Sequence, residues 1–439
     1  MKKTMIATVL LGYLASNAIT SQVIAAETDL MAVVPSIALS ASNSGAAQFN
    51  DWLPEVMLRF NTLPEIQVQN ARRQQAELSI QAADKAVYNP ELGVSYQAND
   101  SEESDDTYSL DISQTIDWGD KRGAATRMAQ LQSEILLSDM TLERSQMLAE
   151  RLQALVSQAQ AKKALQFQQQ QFERAKAQLD IARQRLEVGD ISTVELQLMQ
   201  LELANNAADS AIAEQASIAA DGAVLGLFGD IELPFSGFLN ALSPQASQPE
   251  VSPELPALKS AYQQVLIAKV AAKQAKADNA ADPTISLSAE REGEDNKVGV
   301  GVSIPLQFRN NYSEVIAVAN EEIAIAEQTY LARERVLLQQ QKQFSLSLPR
   351  LKQRYQDWHE LVLTSGGEAA KSLAQQWKTG DINTSDYLQS QRQMSSSYLA
   401  GLTLESALYE SWLTWMGASG QLESYLNSQL AQAARSQTK

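Results

Sequence analysis

The chain is written twice, and this repetition limits its fold more than any other feature. The segment Arg185-Leu-Glu-Val-Gly-Asp-Ile-Ser-Thr193 recurs about 190 residues later as Gln376-Trp-Lys-Thr-Gly-Asp-Ile-Asn-Thr384. Upstream, Asn89-Pro90 and Asp282-Pro283 open alternating stretches at nearly the same separation, and Ser113–Trp118 lines up with Ser303–Phe308. Three landmarks in one order describe a duplicated unit of helix, two strands, a very long helix, a tight turn and another long helix. The first unit covers residues 64–228 and the second 257–416. A Pro- and Ser-rich linker at 229–256 separates them, and residues 417–439 form a tail.

Within the first unit, Pro64 to Val87 reads as a helix that Pro90 stops, because proline lacks an amide donor and disfavours helix at the residue before it. Leu92, Val94, Tyr96 and Ala98 then alternate with Gly93, Ser95, Gln97 and Asn99. Tyr108, Leu110, Ile112 and Ile116 alternate in the same way. A period of two predicts strands over 91–99 and 107–116 and, in the second unit, over 284–292 and 297–306. Each is about the length a tilted strand needs to cross a bilayer. Acidic loops at Asp100–Asp106 and Glu292–Asn296 join the pairs, while Tyr88, Trp118 and Phe308 flank the other end, where an aromatic girdle would sit. A soluble sandwich or edge hairpin is the alternative. Four strands are too few to close a membrane barrel, and an open edge in lipid leaves amides unpaired. If the strands span a membrane, several chains must share one barrel; three chains of four strands give twelve.

From Lys121 to Glu187 there is no proline and a single glycine near the start, so the helix reaches roughly 100 Å at 1.5 Å per residue. Met128, Leu131, Ile135, Leu142, Ala149, Leu152, Val156 and Ala159 recur at three and four, a seam interrupted by Ser138 and Ser145. Helices are likewise expected over 193–227, 311–377 and 384–415, with a kink at Pro349. By itself this is an ordinary antiparallel coiled coil.

The ends and the composition exclude several functions. Lys2 and Lys3, the short apolar run from Met5 to Ala15 and the small residues around Ala25-Ala26 read as a signal peptide over 1–26, followed by an N-terminal segment at 27–63. Beyond it the sequence is read as containing no helix that crosses a membrane. No cysteine is present, which removes disulfides, thiolate metal sites and a lipidated N-terminal Cys. A formal charge of −17 argues against nucleic acid as a partner. With His359 the only histidine, a His-containing triad or multi-His metal site is excluded, and His359 reads as a structural helix residue. No phosphate-cradling loop is present, so no enzyme activity and no cofactor are expected.

The signal peptide, the duplicated units and the Val/Thr-Gly-Asp turns together resemble the TolC-like outer-membrane efflux proteins over residues 51–422. The resemblance implies a mainly α fold with a β membrane part: a homotrimer with a twelve-stranded barrel in the outer membrane of a Gram-negative bacterium, continued by a long periplasmic α-helical barrel, not lipidated. It implies a passive exit duct whose partners are outer-membrane lipid, a periplasmic adaptor and an inner-membrane pump, here expected to be of the RND type. The helix tips Val188, Gly189, Asp190 and Thr379, Gly380, Asp381 match the positions that dock onto the adaptor, although tight turns alone would use the same residues. Asp386 and its first-unit equivalent Glu195 match the periplasmic aperture, with helix capping as the plain alternative. The stretch Gln114-Thr-Ile-Asp-Trp-Gly-Asp-Lys-Arg-Gly-Ala-Ala-Thr-Arg127 is similar to the metal-efflux, CzcC-like branch, with Asp120 where a second glycine is usual. Heavy-metal cations are therefore the expected cargo. Drug efflux and type I protein secretion are the alternatives within the fold, and a periplasmic coiled-coil adaptor is the alternative outside it.

Overall fold

The structure is a computed structural model that describes residues 44–98, 105–229, 251–307, 309–362 and 366–437. The expected signal peptide, most of the linker, part of the first acidic loop and Phe308 lie outside the described residues.

Proline and glycine punctuate the chain into long helices and short strands. Helix α1 (Ser44–Thr62) precedes α2 (Pro64–Ala83), which carries Pro64 in its first turn, where a missing amide costs nothing. Strands β1 (Glu91–Gln97) and β2 (Thr107–Thr115) follow, then α3 (Lys121–Glu187) and α4 (Thr193–Phe228). The second unit repeats the order with α5 (Pro256–Asp278), β3 (Thr284–Glu292), β4 (Asp295–Ser303), α6 (Ser313–Leu361), α7 (Gly367–Thr379) and α8 (Thr384–Ser419). A final helix, α9 (Leu422–Gln437), ends the described chain.

Helix α3 runs unbroken for 67 residues, about 100 Å. It packs against α2, α4, α5 and α8, while α6 packs against α5 and α8. The two serines in its seam are buried rather than gaps: Ser138 Oγ donates to Gln263 Oε1 at 2.9 Å on α5. The helix expected over 311–377 passes through Pro349 without ending and is α-helical to Leu361 and again from Gly367. Val362 and Gly366 between those stretches keep right-handed helical backbone.

The first and last described helices both pack into the largest core. Leu53, Val56 and Phe60 of α1 and Leu422 and Leu426 of α9 are buried with Leu148, Leu152, Leu155, Trp412 and Leu413 of α3 and α8. Arg144 on α3 donates to Glu423 at the start of α9 through Nε at 2.8 Å and lies over the Phe60 ring. The segment and tail flanking the two units thus supply part of the middle of the bundle. Helix α4 corrects a second expectation. Among the described residues it is long and apolar enough to cross a membrane, which the sequence reading did not count. Its apolarity comes from a run of Ala, Ile and Leu, and its length lies against α3.

The four strands form one antiparallel sheet in the order β1-β2-β3-β4, so β2 of the first unit pairs with β3 of the second. The register aligns Leu92, Ile112, Leu287 and Val300 in one row and Val94, Leu110, Ala289 and Val298 in the next. All the large apolar members of these rows are exposed, reaching 76% at Val94 and 78% at Val298. The opposite face carries Gly93, Asp111, Ser288 and Gly299, then Ser95, Ser109, Glu290 and Lys297. Every strand therefore has one apolar and one polar face, with water on neither side excluded by this chain.

Candidate functional site

At the end of α3 farthest from the sheet, the two units build the same turn. Gly189 has φ +77° and Gly380 φ +81°, the left-handed conformation that an L side chain resists. The Gly189 amide donates to Leu186 O at 3.0 Å and the Asp190 amide to Arg185 O at 2.8 Å. The second tip repeats the pair, from Gly380 to Trp377 O at 3.2 Å and from Asp381 to Gln376 O at 2.8 Å. Both are Schellman closures that satisfy carbonyls at the helix end. Val188 remains exposed at the apex.

The next helices start from matched caps. Ser192 Oγ accepts from the Glu195 amide at 3.2 Å and Glu195 returns the contact to the Ser192 amide at 2.8 Å. Asn383 Oδ1 likewise accepts from the Asp386 amide at 2.8 Å, while its Nδ2 donates to Asp386 Oδ2 at 2.8 Å. Such reciprocal caps contribute about 1 kcal/mol each. Glu195 and Asp386, the two expected aperture carboxylates, are thus the third residues of their helices and are engaged in capping. Glu195 also accepts from Thr384 Oγ1 of the other unit at 3.0 Å. The hydrogen bonds from the Ser192 backbone, then from the Ser192 and Thr384 hydroxyls, outweigh partial desolvation and hold its carboxyl below the usual range.

The tips are also joined to each other. Arg185 donates to Asp190 Oδ2 at 2.6 Å within its own turn and to Trp377 O at 2.5 Å in the other, and its guanidinium lies 5.2 Å from the Trp377 ring centroid. Beneath it Trp377 stacks on Tyr387 at 5.0 Å, in a small core with Leu179, Ala182, Met199 and Leu388. Burial pushes the Tyr387 phenol up to about 12. The sequence singled out the turn residues but not Arg185, whose counterpart in the second unit is Gln376. That asymmetry between otherwise matched repeats was the available signal.

At the other end of α3 lies a junction that the sequence reading did not identify. Asp282, 6% exposed, accepts from Tyr88 OH at 2.8 Å and from the backbone amides of Trp118 at 3.1 Å and Gly119 at 3.3 Å. Lys121 Nζ lies 2.8 Å from Oδ2, the oxygen that also accepts from Tyr88, and donates to Tyr88 OH at 3.0 Å. Burial works against both charges, but the hydrogen bonds between them outweigh it, so Asp282 is lowered and Lys121 raised. Asp117 caps α3 by accepting from the Lys121 and Arg122 amides at 2.8 and 2.9 Å, and Arg122 pairs with Asp84 at 3.1 Å.

The residues that carried the metal-branch resemblance are therefore occupied in architecture. Asp120 itself adopts φ +59°, which accounts physically for a glycine being usual there. A Cβ on Gly119 would stand 2.5 Å from Ala277 O, so that position admits only glycine at this approach of α5. Of the expected girdle, Trp118 is 74% exposed on the apolar side, whereas Tyr88 commits its hydroxyl to the junction. His359 is buried and stacked on Tyr355 at 5.9 Å. Among the described residues, no group of three or more His, Asp or Glu is placed to hold a metal ion.

The family described as "Outer membrane efflux protein" matches residues 61–229, the whole of the first unit. No curated protein matches the sequence. Among solved structures, the chain is similar to CusC, in a study of folding and transmembrane channel formation, with TM-score 0.70 and 12% identity over 87% of this chain and 95% of that one. It is similar to the Campylobacter jejuni CmeC outer membrane channel with TM-score 0.68 and 14% identity over 91% and 94%. The open state of the Neisseria gonorrhoeae MtrE outer membrane channel gives TM-score 0.68 and 14% identity over 87% and 94%. The first unit matches the outer membrane efflux protein family, and the chain as a whole shares the fold of these solved outer-membrane channels.

Proposed function

We propose that this chain is one protomer of a trimeric outer-membrane channel, a passive exit duct of a tripartite efflux system. The observation that carries the proposal is the open four-stranded sheet. Its outward rows are apolar and exposed, its inward rows are polar and small, and β1 and β4 each present an unpaired edge. Three copies joined edge to edge make a closed barrel of twelve strands with a lipid face and a wet lumen, which removes every edge. The span supports the same reading. About ten residues separate the Tyr108 and Trp118 levels, which at ~3.3 Å per residue and a tilt near 40° gives roughly 25 Å, the height of an outer-membrane apolar band.

Below the barrel, exposed apolar residues recur along α4 (Leu201, Ile212, Ile218, Leu225) and α6 (Val318, Ile325). These faces lie on separate helices of one chain and would meet a neighbour's in a closed helical tube. A coiled-coil adaptor or tether would leave the sheet's apolar face in water.

The paired turns at 188–190 and 379–381 are the proposed docking points for a periplasmic adaptor, which would link the duct to an inner-membrane pump. Glu195 and Asp386 would contribute rings of three carboxylates at the narrow end, favouring cations. Heavy-metal cations are the proposed cargo on the sequence resemblance and on the net charge of −17. Lys121 and Arg122 do not argue for that cargo, because the junction uses them. The direct test is reconstitution of the purified chain. A particle of three copies that conducts ions across a planar bilayer supports the proposal, and a monomer that partitions with water-soluble protein overturns it. Cargo is tested separately by tolerance of a deletion strain to metal salts beside dyes and detergents.

A further inference from the structure

We infer that the loop end of the barrel carries a binding site for the phosphate of an anionic lipid headgroup, built from Arg291 with Tyr96 and Tyr108. The inference rests on the reading that the strands cross an outer membrane.

The outward rows are apolar until the last level before the loops. There the register aligns Tyr96, Tyr108, Arg291 and Asn296. The two tyrosines are exposed and pack with ring centroids 5.0 Å apart, amphipathic side chains at the height where aromatic residues mark a membrane interface. Arg291 beside them is exposed, and its Nε donates to Gly293 O at 3.1 Å, which braces the stem and leaves both terminal nitrogens free to donate. No carboxylate pairs with it among the described residues.

The same level on the other face is arranged differently. Lys297, in the row with Glu290, pairs with Glu290 at 3.4 Å and with Glu292 at 2.6 Å, so the inward cation is neutralised by the inward acids. Of the loop acids beside the site, Asp106 accepts from Tyr96 OH at 2.8 Å and the Asp105 carboxylate lies against Gly293. Among the described residues, Arg291 is the cation of the sheet's outward face and has no carboxylate partner, unlike Lys297 on the inward face. Guanidinium binds phosphate oxygens in a fork, and its flat stem lies readily on aromatic faces. In a trimer the arrangement recurs three times around the rim. A free phosphate ion would meet an acidic loop on its approach from water, whereas a headgroup phosphate is delivered from the membrane side. The source we assign is therefore the lipid.

The test uses the purified full-length channel in detergent, with lipid A as the probe and dephosphorylated lipid A as its control, binding being counted by native mass spectrometry. The wild type should bind the phosphorylated lipid in preference, with up to three per trimer. Arg291→Gln should lower that affinity roughly tenfold, the loss of one charge-assisted fork, while Arg291→Lys should recover part of it and Lys297→Gln on the inner face should leave it unchanged. Equal binding of both lipids by a well-formed trimer, or an Arg291→Gln protein that binds as wild type, overturns the site while the channel reading stands. A chain that never forms a detergent-bound trimer overturns the membrane reading and this inference with it.

Discussion

Replacing Asp282 with alanine should loosen the joint between sheet and helices more than any comparable change on the surface. Asp282 receives Tyr88 OH, two backbone amides and the Lys121 ammonium, and its side chain is almost wholly buried. The alanine leaves Lys121, itself only 17% exposed, with Tyr88 OH as its remaining partner. Breaking a buried pair from one side costs about 3–5 kcal/mol, and the partial exposure of Lys121 places this case near 3 kcal/mol per chain. The double change Lys121→Met with Asp282→Leu removes both charges and should cost less than Asp282→Ala alone.

The assay is denaturant unfolding of the detergent-solubilised protein, followed by tryptophan fluorescence, for the wild type, both single variants and the double. The pH dependence has a fixed sign. Asp282 is lowered in the folded state, so its contribution is full above the ordinary carboxyl value near 4 and disappears as pH falls through the lower folded value. Lys121 is raised, so its contribution is full below about 10 and is lost only in stronger alkali. The clamp should therefore be constant from about pH 5 to 9. An Asp282→Ala protein within about 0.5 kcal/mol of wild type, or a double variant less stable than both singles, would refute the clamp.

Other substitutions follow from the same geometry. Gly189→Ala and Gly380→Ala force a side chain into the left-handed region and should each cost about 1 kcal/mol, read as a lowered unfolding midpoint, with little effect from Val188→Ala on the exposed apex. Gly401→Ala would place a Cβ 1.9 Å from the Trp358 ring and should destabilise by about 1–3 kcal/mol through displacement of that ring from its hydrogen bond to Ser397 O. Leu287→Arg, in the middle of the outward face, should cost about 2–4 kcal/mol in a bilayer, whereas Ser288→Arg on the inward face should alter conductance rather than stability.

The sequence revealed most where local physics acts alone. Period-two alternation marks β1, β2 and β3 nearly where they stand. Strand β4 runs over Asp295–Ser303 rather than 297–306, because Gly293 and Glu294 close a tight hairpin in place of the longer acidic loop expected at Glu292–Asn296. Pro90 and Pro283 precede β1 and β3, and Gly189 and Gly380 mark turns whose left-handed backbone demands glycine. What it concealed depends on distant partners. The pairing of β2 with β3 joins residues from different repeats, and nothing in either strand specifies the other. Helices α1 and α9 are short and flank the duplicated units, so their apolar residues acquire meaning only when Phe60, Trp412 and Leu426 meet in one core. Asp282 and Lys121 belong to separate motifs in different units; they lie about one whole unit apart in the chain and no pattern links them. Glu195 and Asp386 were matched to an aperture by resemblance, while the capping that the structure displays could be read from Ser192-x-x-Glu195 and Asn383-x-x-Asp386 directly.

The claim that three chains share one barrel is tested most directly by cross-linking β1 of one copy to β4 of the next. The natural absence of cysteine makes the experiment clean, since any disulfide must come from introduced residues. Ser95→Cys on β1 would be combined in turn with single cysteines from Val298 to Ser303 on β4, then oxidised in native membranes. The account predicts bands of two and three chains at one or two adjacent registers and none from either single variant. Cross-links that close only within one chain, or no product at any register, would contradict it.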